Sequence, residues 1–547
     1  PQVLSMLERE TEGNVFFMVE VVRALAEDVG GLANIGMKTL PEHIYTGGID
    51  TLIQKRLMKV PVSYRRLLEI AAIVGRQLDM TLIAQAATNH QIDISEWVLA
   101  CADAYILEII DGQWRFIHDK IRESILRAIN STQSLSLYED TARAIETVYP
   151  DNPDYAAMLI HLWGQAQNPA KEFPYLLQEG KRLDEMAGFQ NFQDARLYFE
   201  RALDLLQNSD LLHLTALEHE TAHLDILLGL GVTFIGLNEM ETAASWYQQA
   251  IEPGKKLQSY EKLAHTFAGL ARIELVRGAP QEKTMNLADE GLHYAEKAED
   301  SRAITVCHNM HGYIYAHYNN LEKSRKSFLA AVTVLESSGD DYETALMLNN
   351  VGKLEQIAGD YQQSRLHLEQ ARNLALQVGH FNTAILSTSN LGVLEFFCED
   401  YEQSIAYFQM SINLMLDTGD HMGLSQLWVF QAFAEAETKD GYAAYESLLR
   451  AIDNRENANR DFSDMHIVMG VARWYLIQDA PQKSALLLGL AEHLGGSNPF
   501  MREWLDPLQK KLAKHTTDID LNALLAQGAT LDLNQTVDHI FNDFVDG

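Results

Sequence analysis

The chain has 547 residues, and its 76 acidic side chains against 43 basic ones give a formal net charge of −33. That field repels phosphate backbones and anionic membrane surfaces and argues against non-specific nucleic-acid binding. With 47% apolar and 22% charged residues the composition is that of folded protein, and the length exceeds what one hydrophobic core supports, so two or more domains or a repeat array are expected. Cys101, Cys307 and Cys398 lie far apart without a CxxC pair, which leaves a metal reading unsupported and favours a reduced, cytoplasmic setting. No run of about 18 apolar residues suggests a membrane span, and no charged-then-apolar leader suggests secretion. The text opens on Pro1 and runs at once into helical pattern, as a segment of a longer chain would.

In chain order, residues 61–74 (PVSYRRLLEIAAIV) and 80–87 read as short amphipathic helices, the first with Pro61 where helix starts favour proline. Residues 105–110 (YILEII) and 113–116 (QWRF) are β-prone runs joined by Asp111-Gly112, the strongest short hairpin signal there is. Three helices, one hairpin and a closing helix give residues 41–135 the outline of a small winged-helix-like module.

A repeat follows. The stretches that begin at Glu299, Gly339, Gly379 and Gly419 are spaced by 40 residues. Their fourteenth positions are Gly312, Gly352, Gly392 and Ala432, and their twenty-second are Asn320, Asp360, Asp400 and Asp440. Phe328, Leu368, Phe408 and Leu448 form a column of large apolar residues, with Ala331, Ala371, Ser411 and Ala451 three places on. Small residues at fixed places let two helices approach, a large residue fills the space between them, and the Asn/Asp column turns one helix into the next. The pattern resembles tetratricopeptide repeats. It implies an all-α, tetratricopeptide-like helical-repeat solenoid over residues 136–495, preceded by the winged-helix module with its one β-hairpin. Its period is longer than usual for that family, so longer connections are expected. Residues 518–527 and 531–543 read as helices of a C-terminal cap, 496–547.

Matched residue by residue to the tetratricopeptide pattern, groove-lining positions fall on Asn309, Tyr313 and His317, then Asn349, Lys353 and Gln356, then Ser389, Phe396 and Phe397, then Phe433. Mixed amide, aromatic and cationic groups suit a protein, peptide or small-molecule effector. Packing between repeats is the alternative for many of them.

Further motifs carry a second resemblance. Residues 11–17 (TEGNVFF), 40–44 (LPEHI), Arg56-Leu57, 65–75 (RRLLEIAAIVG), 116–123 (FIHDKIRE) and 486–492 (LLLGLAE) are similar, in order and spacing, to segments of STAND-class signalling ATPases. The resemblance implies that residues 1–40 are the remnant of a helical subdomain, and that a nucleotide-binding domain lies upstream and switches between ADP and ATP with Mg. It puts a phosphate contact on His118 and an adenine-side contact on Gly13 and Asn14, with Val15 standing where the family usually has Pro. Asp119 is placed to cap the helix that follows.

No GxxxxGK[ST] stretch, HExxH or GxSxG occurs, so the chain by itself is expected to hold no cofactor and to be no enzyme. Two other readings remain: a stand-alone tetratricopeptide interaction scaffold, and a DNA-binding regulator using Arg115, Lys120, Arg122 and Arg127 of the winged helix, against the adverse overall field.

Overall fold

The computed structural model describes Val22 and, from Gly48 onward, all residues except 130, 187–188, 209, 419–422, 456–459, 496–498, 516–519 and 546–547. Gly13 and Asn14 lie outside the described residues. The chain forms two compact units that divide between Thr233 and Phe234.

In the first unit, α1 (Gly48–Lys59), α2 (Val62–Val74), α3 (Met80–Asn89) and α4 (Ile94–Asp103) precede the strands β1 (Leu107–Ile110) and β2 (Gln113–Phe116). Then come α5 (Asp119–Ala128), α6 (Ser131–Val148), α7 (Ala156–Gln165), α8 (Pro169–Met186), α9 (Phe189–Asn208) and α10 (Ala216–Gly236), within whose last turn the division falls. Asp79 and Asp93 start α3 and α4 by accepting two backbone N–H bonds each. The strands pair antiparallel from Leu107↔Phe116 to Ile110↔Gln113. Asp111 and Gly112 both take positive φ (52° and 78°), as the tight two-residue turn requires. Backbone bonds from Leu78 N to Trp114 O (2.8 Å) and Phe116 N to Arg76 O (2.9 Å) lay residues 76–78 along the free side of β2. Leu67, Ile70, Leu82, Trp97, Phe116 and Ile121 are fully buried, and their cluster continues into Leu159 and Trp163 of α7. The module, α6 and α7 therefore share one core.

The second unit contains α11 (Met240–Leu257), α12 (Tyr260–Val276), α13 (Gln281–Ala298), α14 (Ser301–His317), α15 (Leu321–Ser338), α16 (Asp341–Ile357), α17 (Tyr361–Gln377), α18 (Phe381–Phe397), α19 (Tyr401–Thr418), α20 (Leu424–Glu437), α21 (Gly441–Asp453) and α22 (Arg460–Ile477). It ends with α23 (Pro481–Gly495), α24 (Pro499–His515), α25 (Leu521–Gly528) and α26 (Leu533–Val545). Even-numbered helices from α12 to α22 are the first members of successive pairs, and most of them touch one another directly as well as their own partners.

The sequence columns have distinct physical roles. Asn320, Asp360, Asp400 and Asp440 each accept the backbone N–H three residues on, capping the second helix of the pair. The residue before each cap, Asn319, Gly359, Glu399 or Lys439, takes positive φ and reverses the chain. A methyl group on Gly352 would lie 2.7 Å from Leu368 Cγ, and one on Gly392 would lie 2.8 Å from a ring carbon of Phe408. The small column thus makes room for the large one, pair after pair. Ser324 and Ser404 donate to the carbonyls of Gly312 and Gly392, both at 2.7 Å. Arg325 to Glu355 (2.8 Å) and Arg365 to Glu395 (2.8 Å) tie each second helix to the next first helix.

One expectation is corrected. The long period does not lengthen the connections, which are two or three residues between α14 and α19. The extra residues lie inside the helices, which run to 17 or 18 residues. Among the described residues, no helix is long and apolar enough to cross a membrane.

Candidate functional site

The predicted groove residues sit on the face built by the first helices of the pairs, and they divide into two groups. Toward α14 they form an amide ladder. Asn350 donates to Asn309 (3.2 Å), and Asn390 donates to Asn349 (2.9 Å), so α14, α16 and α18 are stitched through side chains. Tyr313 is half-exposed and meets Phe328 edge-on, with centroids 5.4 Å apart. His317 is exposed, and Ser389 is buried.

The second group is covered by the chain itself. Trp504 of α24 lies among Phe396, Phe397, Phe430 and Phe433, with every ring centroid 4.9–5.1 Å from its own. Beside it, Glu503 accepts a hydrogen bond from Gln356 Nε2 (2.9 Å) and lies 3.7 Å from Lys353 Nζ. Arg473 of α22 places its guanidinium about midway between the rings of Phe396 (5.1 Å) and Phe433 (5.0 Å) and donates to Glu437 at 2.9 Å. Lys511 of α24 pairs with the same Glu437. Burial lowers the pKa of Lys353 and of Arg473, and the carboxylates of Glu503 and Glu437 respectively oppose that shift.

Lys353, Gln356, Phe396, Phe397 and Phe433 are therefore not an open groove. They are the walls of a slot filled by α24, whose Trp504 and Glu503 cover them. Sequence reasoning missed Glu503, Trp504, Phe430 and Arg473. Arg473 had a signal, since it stands one period after Phe433, in the column of Tyr313 and Lys353. Glu503 and Trp504 had none, because α24 lies beyond the repeat.

In the first unit His118 is the N-cap of α5, its Nδ1 accepting from Lys120 N at 3.1 Å. Asp119, expected as the cap, instead lies in the first turn and takes a 3.2 Å bond from Arg76. The cations a DNA reading would need have partners within the module. Arg115 bonds Glu108 (3.0 Å), Lys120 bonds Glu123 (2.9 Å), Arg122 donates to the Ala72 carbonyl (2.7 Å), and Arg127 donates to the Glu123 carbonyl (3.4 Å). Burial pushes the thiols of Cys101 and Cys307 up to about 12, which leaves neither a nucleophile. Among the described residues no three potential metal ligands come together.

Comparison with known proteins bears on the fold. No protein-family model matches the chain, and no curated protein matches its sequence. A solved STAND protein with a tetratricopeptide repeat sensor, from Pyrococcus horikoshii, superposes with a TM-score of 0.50 at 15% identity, over 93% of this chain and 74% of its own. The fold is a tetratricopeptide-like repeat array. A Rap protein complexed with competence and sporulation factor (16% identity, 70% of this chain, 99% of that one) reaches a TM-score of only 0.41. Yeast Tom70 (12%, 76% and 94%) reaches 0.37, and neither adds to the argument.

Proposed function

We propose that the chain is the regulatory and sensor segment of a STAND-type signal-transduction ATPase. In this reading its repeats take up a protein or peptide partner or a small effector, and that binding controls a nucleotide switch upstream of residue 1, in a cytoplasmic setting. The observation that carries the reading is the order of parts: a helix–hairpin–helix module with His118 at the start of its closing helix, followed directly by helix pairs. The fold shared with the Pyrococcus horikoshii protein over 93% of the chain supports it.

ADP or ATP with Mg would be held by the upstream domain. Gly13, Asn14 and His118 would contribute from this chain. The Nδ1 of His118 is engaged in the helix cap, so its ring has a fixed direction, and a phosphate oxygen would be met by Nε2. The experiment is to express the protein with the sequence that precedes Pro1 and measure ADP affinity and ATP turnover. The expectation is measurable ADP binding that weakens when a partner occupies the repeats. A longer protein without nucleotide affinity, or with affinity indifferent to deletion of the repeats, overturns the reading.

A second reading, a plain interaction scaffold, is favoured by one observation: the described residues that form the aromatic slot all stand on helices from α16 to α24. The same experiment separates the two.

A further inference from the structure

We propose that the face formed by α16, α18, α20 and α22 is a peptide groove in which α24 is the resident occupant. Its external partner is then an amphipathic helix carrying a carboxylate residue immediately followed by a large aromatic one. The inference rests on the repeats being a partner-binding face and adds the chemistry of the partner.

The slot recognises two things at once. Lys353 and Gln356 converge on one carboxylate, and four phenyl rings receive one indole. Glu503 and Trp504 satisfy both because they are adjacent in sequence, so any competing segment needs the same adjacency. Along the same apolar face as Trp504, α24 buries Leu505, Leu508 and Leu512 in the cluster shared with α22 and α23. A competitor must offer that stripe as well.

The resident fit is incomplete. The ammonium of Lys353 stops 3.7 Å from Glu503, and among the described residues Gln356 Oε1 and Arg473 Nε are buried without a hydrogen-bond partner. Buried polar groups left unpaired are costly, and a segment that supplied their partners would gain what α24 forgoes. Pro507 inside α24 removes a backbone hydrogen bond, so the helix draws its stability from docking more than from itself. A tethered occupant competes at an effective concentration on the order of millimolar, so it closes the slot against weak ligands and yields to a better-matched one.

The test uses the full chain and a synthetic peptide of its own residues Pro499–His515. Hydrogen exchange on the unmodified chain should show α24 opening before α20 and α22. Excess peptide should speed exchange in α24 while the inner face of α16 to α20 stays protected. In a second arm, the variant Trp504→Ala/Leu508→Ala should bind labelled peptide about tenfold tighter than the unmodified chain, because the resident is weakened. Adding Lys353→Ala should reverse that gain, and a peptide with Glu503→Gln and Trp504→Ala should not bind. If α24 exchanges only together with α20 and α22, or the loosened variant gains no affinity, the proposal fails. Concentration-dependent dimers without peptide binding would overturn it in favour of a helix exchanged between copies. Failure here leaves the switch reading intact, since that is read from ADP affinity in the longer protein.

Discussion

Gly489 lies so close to the carbonyl oxygen of Leu525 that a methyl group in place of its hydrogen would overlap it, and Gly528 stands in the same relation to the carbonyl of Leu486. Helices α23 and α25 therefore pack backbone on backbone. Alanine at position 489 would gain about 1 kcal/mol as a helix former but would have to push a main chain aside. Gly489→Ala should cost a net 1–3 kcal/mol or so, read as a lower urea midpoint. Gly352→Ala meets first the side chain of buried Leu368, with that residue's backbone N no nearer than 3.2 Å, and should cost less, whereas Gly352→Leu should also lose about 1–3 kcal/mol. An unchanged midpoint for Gly489→Ala would show that the two helices separate readily.

The Asn/Asp column gives a second expectation. Asp360→Ala removes the acceptor for Gln363 N and should destabilise the second unit by about 1 kcal/mol, while Asp360→Asn should be close to neutral. Thermal melts of both variants check it. Equal melting of the two would mean that the cap contributes nothing here.

That column was legible in the sequence because a cap is a local device: its residue type and its distance from the helix are fixed. The facing of Gly352 and Leu368 was legible for the same reason. The length of the connections was not, since a repeat period counts residues without saying whether they stand in a helix or a loop. The occupant of the groove was not legible either. Periodicity identifies the walls built by Phe396 and Phe433, but Trp504 reaches them from a helix outside the repeat, and only tertiary packing decides where it goes. His118 was found by motif, yet its observed work is capping, which a backbone-directed side chain can do wherever a helix begins.

Burial raises the carboxyl of Asp184 to about 7, although Thr233 donates a 2.7 Å hydrogen bond to it. The folded state therefore holds this proton over the range where the unfolded chain, titrating near 4, has lost it. Folding stability from this group is retained at acid pH and falls as pH rises from about 4 to about 7. Asp184→Asn keeps an acceptor for Thr233 and removes the penalty, so it should be more stable than the parent at pH 8 by about 1–3 kcal/mol and equal to it near pH 4. Denaturant midpoints across that range decide the matter. A variant less stable at both ends would refute the assignment.

For His118 the cap and the proposed switch contact can be separated. His118→Ala should lower the melting temperature through loss of the cap, worth about 1 kcal/mol, and His118→Asn should restore it. If the ring also holds the closed state in the longer protein, both variants should raise ATP turnover without partner by about tenfold or more, since a hydrogen bond to a charged group is worth about 1.5–3 kcal/mol. Unchanged turnover and ADP affinity in a stable His118→Asn protein would leave the residue a cap alone. Residues 1–547 by themselves should neither bind nor turn over ATP, which calorimetry can check.

The short joints of the array make it divisible. Gly339 and Gly379 take nearly the same backbone angle (φ 72° and 73°), each closing one pair and opening the next. Excising residues 340–379 would join Gly339 to His380, reproducing a junction the chain already contains, and would bring Arg325 to Glu395 as Arg365 now is. Half that length would instead splice a second helix onto a second helix and put the wrong face inward. The array can thus be shortened only in whole steps, and this particular step carries away Lys353 and Gln356 while leaving the aromatic box behind. The two halves of the slot, one for charge and one for rings, are separable cargo on adjacent units of the ruler.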